Sequence, residues 1–174
     1  MATIVFFYDE ENPHLDALSL FLYPHVGLIR HVFNQGEYEN TSVMGISGGG
    51  WYTVWLGALM PEIDTSISYA GSLPLAYRKF REHHGGWEEV YSPIYREVSY
   101  LQLYQLMLRD EVGVNTRQAF LVYNDNDNCC FMNPAASDFK MRIDGLDFYP
   151  QVLIDESNSH SMNISIVRDL LQHE

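Results

Sequence analysis

The stretch Gly45-Ile46-Ser47-Gly48-Gly49-Gly50 constrains the fold more than any other part of the chain. It lies between a run of strand formers, Thr41 to Ile46, and a segment that reads as a helix, Gly50 to Met60. A strand that passes into a helix within so few residues must turn sharply. The two elements then come too close for side chains to stand between them. Gly45, Gly48 and Gly49 answer that need, and Ser47 is left at the apex with strained backbone angles. Its hydroxyl is presented at the C-terminal edge of a sheet. The positive end of the helix and the Gly48 N–H face any negative oxygen that forms there. The pattern is G-x-S-x-G in the setting an activated serine requires. Phosphate-binding turns are the competing reading, but neither G-x-G-x-x-G nor G-x-x-x-x-G-K-[ST] occurs here.

Short β-branched and aromatic runs alternate with longer helical stretches along the rest of the chain, which reads as βαβ units around a parallel sheet. Strands are expected at Thr3 to Tyr8, Thr41 to Ile46, Thr65 to Ala70, Ala119 to Tyr123 and Gln151 to Ile154. Leu15, Leu18, Leu22, Val26, Ile29 and Phe33 recur at helical spacing, with Pro24 expected to kink or split that helix. Trp51, Val54, Trp55, Leu56 and Leu59 make the helix after Ser47 apolar on most faces, so it should be buried. Met162 to Leu171 is expected to close the chain as a helix. The fold class is therefore α/β, a three-layer α/β/α sandwich with a mostly parallel sheet of about five strands. At 174 residues, 47% hydrophobic and 14% aromatic, the chain is one domain with ample material for a core. Residues 78–115 read as an irregular, helical insertion over the site.

The 10 Lys+Arg against 23 Asp+Glu leave a net charge of −13, and such a surface repels nucleic acid and anionic membranes. The longest apolar stretch, Ala17 to Ile29, is broken by Ser19, Pro24 and His25, so nothing reads as a membrane span. Met1 lacks a basic region before Ile4-Val5-Phe6-Phe7, which argues against a signal peptide and for the cytoplasm. The sequons at Asn40 and Asn163 carry little weight without evidence of secretion. Cys129 and Cys130 are adjacent, staple nothing distant, and read as reduced thiols at a strand end.

A serine hydroxyl needs a base, and the base an orienting carboxylate. With G-x-S-x-G at a strand–helix turn, the order along the chain is serine, acid, histidine. His14, His25 and His31 precede Ser47, His173 sits at the terminus, and His83 and His84 lie in the irregular segment. His160 remains, in the loop Glu156 to Ser161 between the last strand and the last helix. For the acid, Phe120 to Tyr123 runs into Asn124-Asp125-Asn126-Asp127-Asn128; Asp127 is the first choice and Asp125 the reserve. That loop also begins like a calcium loop but fails where Cys129 and Cys130 replace the fifth ligand and the glycine. No H-E-x-x-H or cysteine–histidine spacing points to zinc.

With these residues in place, the chain from about Leu15 onward resembles the C-terminal part of an α/β-hydrolase of the bacterial esterase-like kind. The resemblance rests on Gly45 to Trp51, Ala70-Gly71-Ser72-Leu73-Pro74, Asn124 to Phe131, and Ser159-His160-Ser161. It implies that Ser47 is the nucleophile, Asp127 the acid, His160 the base, and Gly48 one oxyanion-hole donor. It implies no cofactor and no metal. Such enzymes usually carry three or four strands before the nucleophile and a second oxyanion donor beside a His-Gly pair. Only about forty residues precede Gly45, without a His-Gly, and His84-Gly85-Gly86 comes after the nucleophile. A truncated member or a fragment is implied, with one sheet edge left to Thr3 to Tyr8 or to a second copy of the chain.

Two functions follow. One is a serine hydrolase cleaving a small carboxylic ester or related acyl compound, with Trp87, Tyr91, Tyr95, Tyr100 and Tyr104 either lining a pocket or filling core. The other is a non-catalytic, truncated hydrolase-like module that keeps the sheet and the turn and works by association; separately, a homodimer would cover the exposed sheet edge.

Overall fold

The computed structural model describes residues 13–36, 38–78, 85–90, 92–110, 116–127, 129–131 and 134–172. Four strands form one parallel sheet: β1 (Ser42–Ile46), β2 (Thr65–Tyr69), β3 (Gln118–Asn124) and β4 (Gln151–Asp155), in the order β1-β2-β3-β4. The fold is α/β, as the sequence predicts, with four strands among the described residues against the five expected. The fifth, Thr3 to Tyr8, falls outside the described residues. In register, Ile46 stands opposite Tyr69, Tyr69 opposite Val122, and Asn124 opposite Asp155. All four strands therefore end at one edge of the sheet. β2 is buried along its whole length, which suits an inner parallel strand.

α1 (Pro13–Phe33) precedes β1 and runs on through Pro24 without being split. Leu18 and Leu22 are buried, and Val26, Ile29 and Phe33 pack on Leu56, Met60 and Ile63. α2 (Gly48–Leu59) lies on β1 and β2 and also touches α1 and a later helix, α5 (Tyr100–Leu106). Trp51, Val54, Trp55 and Leu56 are buried, as a helix apolar on most faces requires. Its C-terminal carbonyls are clamped by the buried Arg117, whose guanidinium donates to Gly57 O at 2.8 Å and Met60 O at 3.1 Å. A cation there also complements the negative end of the helix.

The insertion is helical, as expected: α3 (Trp87–Val90), α4 (Ser92–Glu97) and α5. Three of its tyrosines, Tyr95, Tyr100 and Tyr104, are core. Tyr95, Tyr100 and Tyr104 are 8%, 2% and 0% exposed, while Trp87 is exposed and Tyr91 lies outside the described residues. Their hydroxyls are satisfied internally. Trp51 Nε1 donates to the Tyr95 hydroxyl at 2.7 Å, which reaches the Glu88 carbonyl at 3.1 Å, and the Tyr104 hydroxyl meets Ser72 Oγ at 2.9 Å.

Arg78 and Glu89 form a buried pair 3.3 Å apart inside this cluster. The Arg78 guanidinium lies 4.9 Å from the ring centres of both Tyr100 and Phe131, which ties the insertion to the loop after β3. Burial outweighs the attraction of Arg78 and pushes the Glu89 carboxyl up to about 7. The folded chain therefore holds this proton where the unfolded chain has lost it, and stability falls as pH rises from the ordinary carboxylate range to about 7. Glu89→Gln lacks that titration. The denaturation midpoint of the wild type relative to Glu89→Gln is expected to rise as buffer pH is lowered from 8 to 5. A difference that stays flat over that range would remove the assignment.

Two helices complete the chain, α6 (Ala135–Ile143) before β4 and α7 (Ile164–Gln172) after it. None of the described helices is long and apolar enough to cross a membrane.

Candidate active site

Ser47 stands at the junction of β1 and α2 with φ 56° and ψ −126°, a conformation that costs an L-residue about 1–3 kcal/mol. Backbone hydrogen bonds hold it there: Ser47 N–H donates to Tyr69 O at 2.9 Å, and Trp51 N–H donates to Ser47 O at 3.0 Å. The hydroxyl makes no capping hydrogen bond to the helix that it precedes. The N–H groups of Gly48, Gly49 and Gly50 belong to the first turn and have no intrahelical acceptor. A negative oxygen beside Ser47 would meet them.

The glycines divide differently from the sequence reading. A Cβ on Gly45 would lie 2.3 Å from Gly49 O, one on Gly50 would lie 2.8 Å from Tyr69 O, and one on Gly71 would lie 2.3 Å from Gly50 C. Cβ atoms on Gly48 and Gly49 would meet nothing within 4 Å. The close approach therefore belongs to Gly45, Gly50 and Gly71. Gly48 and Gly49, which the sequence also assigns to it, are not sterically required, because a Cβ on either would stand in open space.

The turn after β3 brings Asp127 into the interior, 1% exposed. Its Oδ1 accepts from the N–H groups of Cys129 at 2.7 Å and Cys130 at 3.0 Å. Its Oδ2 lies 2.8 Å from His160 Nδ1. His160 Nε2 is enclosed and has no hydrogen-bond partner among the described residues. Asp125, the reserve acid, is turned elsewhere: its N–H continues the ladder to Asp155 O at 2.7 Å, and Asn126 Nδ2 donates to its carboxylate at 3.3 Å. His25, on α1, stacks on Tyr52 of α2, and His83, His84 and His173 lie outside the described residues.

Three residues outside the proposed triad hold the loop carrying His160. Buried Asn124, the last residue of β3, donates from Nδ2 to Ser157 Oγ at 2.6 Å and to Ser161 O at 2.9 Å. The Tyr69 hydroxyl donates to Asp155, which also accepts from Ser157 N–H at 3.1 Å and Ser157 Oγ at 3.0 Å. Burial opposes ionisation of Asp155, but hydrogen bonds from Tyr69 and Ser157 outweigh it and hold the carboxyl below its usual range. Burial and the Asp155 bond together push the Tyr69 hydroxyl up. The signal for this group is positional, since Tyr69, Asn124 and Asp155 are each the last residue of a strand.

Cys129 and Cys130, read as reduced thiols, are joined by a disulfide. Both of their amides converge on one Asp127 oxygen, and that tight turn is where adjacent sulfurs meet. Asp127, Cys129 and His160 also stand as a group of metal-type ligands, one atom from each within 4.8 Å of the others.

Ser47, Asp127 and His160 thus leave the ends of β1, β3 and the loop after β4 at one edge of a parallel sheet. The sheet is α/β-hydrolase-like. Comparison with solved structures finds an acylaminoacyl peptidase of Pyrococcus horikoshii at TM-score 0.50 and 17% identity over 80% of this chain. A puromycin-hydrolyzing peptidase of Mycobacterium tuberculosis matches at TM-score 0.49 and 19% identity over 74% of it. The esterase Pf2001 of Pyrococcus furiosus matches at 0.44 and 13% over 76%. At such identities the likeness concerns the fold alone. The chain spans 23% and 20% of the two peptidases and 49% of the esterase. No family model matches the chain, and neither does any curated protein.

A cleft of about 990 Å³ opens at the opposite edge of the sheet, between Arg117, Gln118, Lys140 and Gln151. It lies away from Ser47.

Proposed function

We propose that the chain carries the catalytic part of a serine hydrolase acting on a carboxylic ester or related acyl compound. Ser47 attacks the carbonyl, His160 takes the proton on Nε2 and returns it to the leaving group, and Asp127 holds the imidazole. An acyl-enzyme forms on Ser47 Oγ and water then hydrolyses it, by the same base. The reaction needs no cofactor. The observation that carries this reading is the Asp127–His160 hydrogen bond of 2.8 Å. A carboxylate on Nδ1 fixes the tautomer whose Nε2 lone pair accepts a proton. The strained Ser47 backbone supports it independently.

A fluorophosphonate probe followed by intact mass tests the reading. One covalent adduct on folded protein, mapped to the peptide containing Ser47, is expected. Folded protein that takes no adduct overturns it.

A second reading, association, is favoured by one observation. Among the described residues β1 pairs on one side only, with Met44 exposed, and α1, which packs on α2, exposes Leu20, Tyr23 and Leu28. Such an edge invites another strand. A homodimer across it requires a two-chain mass in light scattering at micromolar concentration; a one-chain mass removes it.

A further inference from the structure

Asp127 and Cys129 come from the turn after β3, and His160 from the loop after β4. One ligand atom from each lies within 4.8 Å of the other two. Around a tetrahedral zinc ion, N, O and S ligands lie roughly 3.4–3.7 Å apart, given bonds of about 2.0–2.3 Å. The group is thus within a short closure of a coordination shell. Imidazole, carboxylate and thiolate together suit a borderline-soft divalent cation of the zinc class, and the sulfur disfavours calcium or magnesium. Asp127 is buried, and its other oxygen is held by two backbone amides, so one ligand is already fixed. As the chain stands, however, Cys129 Sγ is bonded to Cys130 Sγ, and a disulfide sulfur has no thiolate to offer.

We propose that reduction of the Cys129–Cys130 disulfide opens a zinc-class cation site built from Asp127, Cys129 and His160, and that a cation bound there stops the hydrolase. The second half rests on the proposed triad; the first half does not. Reduction is ordinary exchange: a dithiol gives two electrons and two protons to the protein disulfide, which becomes two thiols as the reagent becomes a disulfide. Cys129 is exposed, so such a reagent reaches it. The cation then displaces the Cys129 thiol proton to the solvent. If Nδ1 of His160 ligates, the proton shared with Asp127 moves to Nε2, which can then no longer accept the serine proton. If Nε2 ligates, the lone pair that would accept the serine proton is taken. Either nitrogen costs the site its base.

Cadmium ion is the probe, because cadmium–thiolate bonds absorb in the near ultraviolet where the oxidised protein has no such band. The full chain is titrated in its oxidised form and after reduction by a phosphine, which leaves as the phosphine oxide with oxygen from water. Cys129→Ser and Cys130→Ser are titrated beside it, with folding followed by circular dichroism. One equivalent with the thiolate band is expected for the reduced wild type. The same is expected for Cys130→Ser without any reductant, since its Cys129 has no neighbour to pair with. The oxidised wild type and Cys129→Ser are expected to show neither. Folded reduced protein without the band, or a band that survives Cys129→Ser, overturns the site. Stoichiometric binding by the oxidised protein overturns the redox gate. Ester turnover is expected to fall at least tenfold as the equivalent fills, and undiminished turnover overturns the inhibition. A chain that binds cadmium as described but never labels with fluorophosphonate leaves the cation site standing and overturns the triad instead.

Discussion

Ser47→Ala is expected to abolish the fluorophosphonate adduct and nearly all ester turnover while leaving the fold as stable as before. Loss of the nucleophile from a complete triad costs on the order of 10⁶-fold in kcat. Gly48 N–H is the one oxyanion donor assigned to the proposed site, and a missing second donor lowers the starting rate by about 10²–10³-fold. The measurable fall is then on the order of 10³–10⁴-fold. Stability is expected to change by no more than about 0.5 kcal/mol, since the hydroxyl makes no capping bond. The same reasoning makes Ser47→Gly informative. Glycine carries no penalty at φ 56°, so the strain of about 1–3 kcal/mol is relieved, less about 1 kcal/mol of added chain entropy. A chain that is dead yet slightly harder to denature is the signature of strain retained for chemistry. Turnover that survives Ser47→Ala removes Ser47 from the reaction altogether.

The parallel sheet was legible because short β-branched and aromatic runs alternate with helical stretches, and β1 to β4 begin and end within a residue of where those runs do. α6 was not. Its buried residues, Ala135, Ala136, Phe139 and Ile143, are interleaved with Asp138, Lys140 and Arg142, and two of the four are too small to mark a face. For the proposed acid, sequence ranks Asp127 ahead of Asp125 in one loop but shows no geometry that separates them. The choice depends on the turn: the Asp125 N–H extends the β3–β4 ladder, and only two residues later does the chain turn enough to bury a carboxylate under two amides. The grouping of Cys129 with His160 was invisible for a related reason, since it spans two loops and no local spacing encodes it. The insertion's tyrosines could not be told from pocket walls because the hydroxyl partners that keep them in the core, Trp51, Ser72 and the Glu88 carbonyl, come from three separate segments.

Gly71→Ala is expected to cost more stability than any other single methyl group added at the site. The new carbon would sit 2.3 Å from Gly50 C, 2.4 Å from Gly50 Cα and 2.6 Å from Trp51 N, all of them backbone. No rotamer change relieves such contacts, so α2 must lift from the end of β2. That movement strips Ser47 N–H from Tyr69 O and disturbs the packing of buried Trp51. Ordinary overpacking costs about 1–3 kcal/mol, and a backbone clash of this kind belongs above it, at roughly 4 kcal/mol or more. Against a domain stability of about 5–15 kcal/mol, much of the margin goes, and with it the conformation that strains Ser47. Gly48→Ala is the control. Its added carbon meets nothing within 4 Å, and alanine in a helix is worth up to about 1 kcal/mol over glycine, so its denaturation midpoint should stay level or rise. Equal midpoints for Gly71→Ala and Gly48→Ala would mean that helix and strand do not meet where these glycines place them. The bend presenting Ser47 would then lack its support.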